Sequence, residues 1–257
     1  MALTNTCELH CPYCYAPKHR SMLDRENVVR WAQELDSAGC LGLGFGGGEP
    51  TAYPHFAELC QQVADQTQLA VTFTTHGHRM TRELAARVVG AVHFIRVSVD
   101  GVGATYERLR GRRFDDLKAS IGLLASIAPF GVNVVVNSDT VGELDDIAAF
   151  AANIGASELL LLPEQPTHRC AGLDTAGSKR LRDWITYGSH SIRTAVSRTG
   201  LENALPVADP FPNEDPLEAH VHIDASGTLK PDAYSPVGTP IAESFLDALG
   251  RLRMLHS

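Results

Sequence analysis

The chain has 257 residues, 44% apolar and 20% charged, with 22 Lys and Arg against 30 Asp and Glu. This is the composition of a soluble globular protein the size of one α/β barrel, or of a smaller domain with an appendage, and it excludes disordered and fibrous classes. A formal charge of -8 offers no field for a phosphate backbone, no apolar run reaches bilayer length, and the first residues lack a signal peptide's basic and apolar segments, so neither nucleic acid nor a membrane is an expected partner and a cytoplasmic location is expected.

A short strand at Met1 to Thr4 leads into Cys7, Cys11 and Cys14, a C-x3-C-x2-C run in TCELHCPYCYA. Compact β-rich runs follow at 41–46, 69–75, 94–99, 132–137 and 158–162, each bounded by turn residues. Between them, apolar residues recur at helical spacing: Val28, Trp31, Ala32 and Leu35; Phe56, Leu59, Cys60 and Val63; Leu144, Ile147, Ala148 and Ala151. Gly39 and Gly155 stand at helix stops. Regular alternation with right-handed crossovers predicts a parallel sheet curled into a partial (β/α)6 barrel, its site at the C-terminal strand ends. After residue 170 the pattern changes. A helix around 176–198, a Pro- and acid-rich linker from Leu205 to Glu218, two short strands around Ala225-Ser226-Gly227 and a helix near Ala242 to Leu255 predict a small α+β appendage. The expected division is 1–200 for the barrel and 201–257 for the appendage.

Six cysteines in this length are too sparse for a disulfide scaffold, and the crowding of three into eight residues points to metal or redox chemistry. Three thiolates on one tight loop can hold three irons of a [4Fe-4S] cube and leave the fourth open. A zinc knot is the alternative, with His10 as the nearby fourth candidate. At the end of the second strand, Gly46-Gly47-Gly48-Glu49-Pro50 lets backbone approach a ligand and offers a carboxylate to an ammonium group. Alone, it reads equally as a turn.

Taken in this order, the two motifs resemble those of the radical S-adenosylmethionine (SAM) enzymes. The resemblance implies one [4Fe-4S] cluster on Cys7, Cys11 and Cys14, and an open iron that chelates SAM, whose reductive cleavage gives a 5'-deoxyadenosyl radical. It implies Tyr13 near the adenine and Gly47, Gly48 and Glu49 at the SAM amino group. Ser98 and Asp100 end the fourth strand, and Arg110 in LRG stands where relatives supply a cation to the SAM carboxylate; a salt bridge within the fold is the other reading. Asn137 matches a ribose-contacting position or makes an Asx turn. His76 departs from the Thr-Asn-Gly of relatives while keeping a donor and an acceptor. The remaining histidines read as surface or capping residues. Cys40 and Cys60 read as small buried hydrophobes. Cys170 and Glu164, after the sixth strand, are candidates for hydrogen donor and substrate contact.

The last 40 or so residues resemble the SPASM or twitch domains of radical SAM maturases without their cysteines: the corresponding places read His220 to His222 and Asp232-Ala233, and no cysteine follows Cys170. With no auxiliary cluster to take an electron, a redox-neutral outcome such as epimerisation becomes attractive. The resemblance implies a substrate, first a ribosomally made peptide and second a small-molecule or sugar intermediate, and an electron donor such as flavodoxin or ferredoxin. This sequence shows no N-terminal peptide-recognition module, which weakens the peptide reading unless that module is a separate chain. A non-catalytic iron-sulfur electron carrier is the alternative from another class.

Overall fold

The computed structural model describes residues 1–167, 169–188, 190–197 and 216–256. Its main sheet is entirely parallel and runs in chain order: β1 (Ala2–Thr4), β2 (Gly42–Gly47), β3 (Ala70–Thr75), β4 (Phe94–Ser98), β5 (Phe130–Val136), β6 (Leu159–Pro163) and β7 (Thr194–Val196). The crossovers are α1 (Arg25–Ser37), α2 (Phe56–Gln66), α3 (Arg82–Val88), the pair α4 (Gly103–Arg110) and α5 (Phe114–Ala125), α6 (Leu144–Asn153) and α7 (Thr175–Tyr187). This is the expected partial barrel. Burial alternates along β3 and β4, so Val71, Phe73, Ile95 and Val97 pack fully buried under the helices. Thr72, Thr74, Arg96 and Ser98 take the opposite face, toward the barrel interior.

The helices follow the predicted faces. α1 is capped by the Asp24 carboxylate on the Asn27 N–H at 3.0 Å, and its Val28, Trp31 and Ala32 join the core. Gly39 and Gly155 adopt φ of 84° and 78°, the left-handed conformation that lets the chain leave a helix.

Two expectations are corrected. The helix predicted over 176–198 ends at Tyr187, and Thr194–Val196 pairs with β6 as a seventh strand; Gly188 stops the helix, and the alternation of Ile192, Thr194 and Val196 is a β-branched period-2 pattern. The linker Leu205 to Glu218 lies mostly outside the described residues, and so does the boundary expected at residue 200. Its end forms a short helix, α8 (Pro216–Ala219).

The appendage is a three-stranded antiparallel sheet of β8 (His222–Ile223), β9 (Thr228–Lys230) and β10 (Thr239–Pro240), followed by α9 (Phe245–His256). β8 and β9 form the predicted hairpin, held by the Asp224 carboxylate accepting from Ser226 and Thr228. β10 had no signal in the sequence. Among the described residues the appendage has no separate core: Leu229, Phe245, Ala248 and Leu252 enter the same hydrophobic cluster as the barrel helices. Glu34 of α1 caps α9, accepting from Ser244 Oγ at 2.8 Å and from the Phe245 N–H at 2.7 Å.

Candidate functional site

β1 delivers the chain to the top of the barrel, where residues 5–21 loop back before α1. The loop is pinned at its base by Asn5 N–H to Ser21 O at 3.0 Å and Leu23 N–H to Leu3 O at 2.9 Å. All three of its cysteines are free thiols. Leu9 N–H donates to Cys7 Sγ at 3.4 Å, Lys18 Nζ lies 3.7 Å from Cys14 Sγ, and Arg110 Nη1 lies 3.7 Å from Cys11 Sγ. Burial pushes the Cys7 thiol up to about 11, with Glu49 and Glu8 adding to the rise.

The glycine turn after β2 lies directly against this loop. Gly48 N–H donates to Thr4 O at 2.6 Å and Glu49 N–H to Thr6 O at 2.8 Å. A Cβ on Gly47 would overlap the Thr4 carbonyl, and one on Gly48 the Thr6 carbonyl. Gly47 is also at φ 117°. The glycines are therefore required by the close approach of the turn after β2 to the backbone at Thr4 and Thr6, a reason independent of any ligand.

Glu49, 1% exposed, joins the ends of β2 and β3. Its Oε1 accepts from Thr51 N–H (3.2 Å), Thr51 Oγ1 (2.6 Å) and Thr75 Oγ1 (2.7 Å), while Oε2 accepts from His76 N–H (3.0 Å). His76 packs against it with Nε2 3.3 Å from Glu49 Oε2 and 3.4 Å from Glu8 Oε1.

Across the cavity, Asp100 is the second buried carboxylate. It takes the Tyr13 hydroxyl and the Arg110 guanidinium on Oδ2, and the Val135 N–H on Oδ1 at 2.6 Å. Arg110 is thus ion-paired inside the fold, as the salt-bridge reading foresaw, and its Nε is a buried nitrogen without a hydrogen-bond partner. The cluster formed by Tyr13, Asp100, Arg110 and Cys11 ties the cysteine loop to α4 and β5.

A cavity of about 360 Å³ brings together Cys7, Cys11, Cys14, Tyr13, Gly47, Gly48, Glu49, His76, Ser98, Arg110 and Glu164. Burial raises the Glu164 carboxyl, opposed by the Asn137 amide and reinforced by Asp139. Two candidates are not among the lining residues. Asn137 turns its Oδ1 onto the Asp139 and Thr140 N–H groups at 3.0 and 3.1 Å, the Asx turn foreseen as its other reading, and its Nδ2 lies 3.4 Å from Glu164. Cys170 packs beside Leu9, Cys11 and Tyr13, its thiol 3.2 Å from Thr167 Oγ1 and 3.5 Å from Gln165 O. Cys60 is fully buried as expected, whereas Cys40 is half-buried with its thiol on Gly42 O at 3.4 Å.

Sequence reasoning missed several lining residues. Asn133, of the inward face of β5, is reached by Arg96 Nη1 at 3.2 Å. His220, Val221, His222 and Tyr234 bring the appendage into the cavity wall, and Tyr234 packs on Tyr15 with ring centroids 4.9 Å apart and the rings tilted by 46°. His220 is exposed, as expected, whereas His222 is half-buried and not a surface histidine; burial lowers it to about 4. Their His-Val-His alternation at the start of a strand was the available signal.

A parallel partial barrel carrying three free thiols after its first strand and a buried glutamate after its second defines an iron-sulfur enzyme class. Residues 1–151 match the family model described as the Radical SAM superfamily, and the chain belongs to that superfamily. It is 29% identical over 214 residues to the mycofactocin maturase MftC of Mycolicibacterium smegmatis, covering 76% of this chain and 53% of that protein. It is 27% identical over 167 residues to a probable GTP 3',8-cyclase of Methanocaldococcus jannaschii, covering 61% and 55%. The chain spans about half the length of these curated relatives. The crystal structure of Streptococcus suis SuiB bound to precursor peptide SuiA has the same fold, with a TM-score of 0.78 at 16% identity over 96% of this chain and 63% of that one.

The superfamily's cofactors are a [4Fe-4S] cluster and SAM, and the residues present fit both. One zinc ion would draw its sulfurs to about 3.8 Å from one another. Among the described residues, the donor group gathered closely enough for a single ion is Cys7, Glu8 and His76, whereas Cys7, Cys11 and Cys14 all line the cavity as the soft donor set that a cube of irons takes. For SAM, the cavity offers Glu49 Oε2 with a single hydrogen bond and, in His76 Nε2, a buried nitrogen that has no hydrogen-bond partner.

Proposed function

We propose that this chain is the catalytic barrel of a radical SAM enzyme that modifies a ribosomally made peptide at a C–H bond. Cys7, Cys11 and Cys14 hold the cluster, and Glu49 Oε2 accepts from the SAM ammonium. When bound, the two cofactors supply one-electron cleavage of the sulfonium and the 5'-deoxyadenosyl radical that abstracts hydrogen. The Tyr13, Asp100 and Arg110 cluster keeps Cys11 in place. Of the sequence candidates, Ser98 and Glu164 remain assigned to the cavity as polar contacts, and Asn137 acts on Glu164 from behind.

The observation that carries the peptide reading is the charge of the cavity. Arg110 is the only Lys or Arg side chain among its described lining residues, and Asp100 neutralises it. Glu164, Gln165, His220, His222 and Tyr234 suit amides, hydroxyls or an amine, and offer no cation to a phosphate. The named maturase relative and the peptide-bound SuiB fold agree with this. The likeness to a GTP 3',8-cyclase favours the second reading, a small-molecule substrate, which in this cavity would be an uncharged one such as a sugar.

Epimerisation is the outcome we assign to the redox-neutral reading. The Cys170 thiol gives its hydrogen atom to the substrate carbon radical, and one electron from the flavodoxin- or ferredoxin-type donor with one proton from solvent restores the thiol. Because Cys170 does not line the cavity, this step requires its side chain to turn toward the cavity.

The test is anaerobic reconstitution with reductant, SAM and a precursor peptide encoded beside the gene. Close to four irons per chain, lost on changing all three cysteines to Ala, with peptide-dependent release of 5'-deoxyadenosine, are expected. An iron-loaded protein that exchanges electrons but forms no 5'-deoxyadenosine is an electron carrier, and the proposal fails. In deuterated water, Cys170→Ala should still form 5'-deoxyadenosine but lose deuterium incorporation at an inverted centre; unchanged product removes the thiol from the reaction.

A further inference from the structure

His76 is 4% exposed, and its ring has an enforced tautomer. Nδ1 accepts the His78 backbone N–H at 3.1 Å, so the ring hydrogen sits on Nε2. That single N–H faces two carboxylates, Glu49 Oε2 at 3.3 Å and Glu8 Oε1 at 3.4 Å, and is aligned with neither. The two carboxylates compete for one donor.

The competition decides which lone pairs remain on Glu49. Its Oε1 already accepts three hydrogen bonds, so Oε2 is the oxygen left for a ligand. Oε2 holds one bond, from the His76 backbone. If the ring N–H also turns onto Oε2, both its lone pairs are occupied. If the ring N–H turns onto Glu8, one lone pair stays open toward the cavity. Glu8 itself is not among the lining residues of the cavity.

We propose that Glu8 is a positioning residue that acts through His76: it draws the ring N–H away from Glu49 and leaves Oε2 open to the SAM ammonium. The inference rests on the reading of Glu49 as the ammonium acceptor. It also explains how a histidine works in this place, since a ring N–H held between two carboxylates can be moved by either one.

The experiment is a double-mutant cycle read by equilibrium dialysis of labelled SAM against the anaerobically reconstituted protein, with iron content measured for each variant. Glu8→Gln removes the charge that competes for the N–H, and should weaken SAM binding by about tenfold. In a His76→Phe background, where there is no N–H to move, Glu8→Gln should change SAM affinity by less than about twofold whatever the affinity of that background. An equal loss in both backgrounds, or none in the histidine protein, overturns the proposal. Glu49→Gln separates the two readings: if it leaves SAM affinity unchanged, the ammonium assignment itself fails. Should His76→Phe not fold, nitrogen-15 histidine spectra of the metal-free protein decide. The His76 hydrogen should lie on Nε2 and its proton resonance should move in Glu8→Gln; a hydrogen on Nδ1, or an unmoved resonance, overturns the proposal.

Discussion

Glu49→Gln gives the sharpest test of the cofactor site, and the structure shows why the more obvious Glu49→Ala does not. Alanine would orphan four buried donors at once: Thr51 N–H, Thr51 Oγ1, Thr75 Oγ1 and His76 N–H. At about 1 to 3 kcal/mol for each buried group left unpaired, this approaches the whole stability of an ordinary domain, about 5 to 15 kcal/mol. The alanine variant therefore reports on folding. In Glu49→Gln the amide oxygen can keep the three donors that meet on Oε1, and the amide nitrogen then replaces Oε2. Nitrogen meets the His76 N–H donor to donor, which costs about 1 to 3 kcal/mol of stability. It also removes the charged acceptor for the ammonium, a charge-assisted bond of about 1.5 to 3 kcal/mol, or roughly a tenfold to hundredfold loss of SAM affinity. Calorimetric titration of SAM into reconstituted protein, beside a thermal melt and an iron assay, measures each part. Full iron content with wild-type SAM affinity would refute the reasoning.

Gly48→Ala should lower both the melting temperature and the iron retained, because its Cβ meets the backbone carbonyl of Thr6 and pushes the cysteine loop off β2; a variant that melts and loads iron like the wild type would show that the loop yields freely. Asp100→Ala should cost about 3 to 5 kcal/mol in urea denaturation, since it leaves the Arg110 guanidinium buried and unpaired, and a loss under about 1 kcal/mol would mean that solvent reaches the pair. The metal-free protein should lose stability as pH falls from about 6.5 toward 4. Burial lowers His78 and His222 to about 4 each, so in that window the unfolded chain binds protons that the native state refuses, and stability rises with pH. His78→Gln should shallow that slope in urea midpoints taken across the range, and an unchanged slope would remove His78 from the account.

The parallel strands were legible because helix-covered faces are built from Val, Ile, Leu and Phe at fixed intervals, and the cysteine and glycine motifs because their spacing is local. What sequence could not supply was the partner of each polar residue. Asp100 and Arg110 stand ten residues apart and read equally well as two ligand contacts or one ion pair; only the turn that leads from β4 into α4 decides between these. Glu8 lies beside Cys7 and gave no signal, because its importance depends on His76, 68 positions away in sequence. The strand β7 was read into a helix because Thr194–Val196 is too short to announce itself beside a long amphipathic stretch. The hairpin and final helix of the appendage were legible, and its place in the cavity wall was not. Its missing cysteines suggested a remnant, yet His220, His222 and Tyr234 form a wall of the cavity.

The same geometry sets a condition on assembly. Burial raises the Cys7 thiol to about 11 and raises Cys11 as well, with nearby carboxylates opposing ionisation of each: Glu49 and Glu8 at Cys7, Asp100 at Cys11. Arg110 and Lys18 work in the other direction. Iron binds thiolate, so cluster loading must expel these protons, and burial holds Cys7 and Cys11 as neutral thiols at neutral pH. The carboxylates that make the site receptive to an ammonium therefore disfavour the ionised state of the empty cysteine loop. Cys7, Cys11 and Cys14 would hold iron as thiolates, and the charge of the bound iron would have to outweigh the carboxylates beside them.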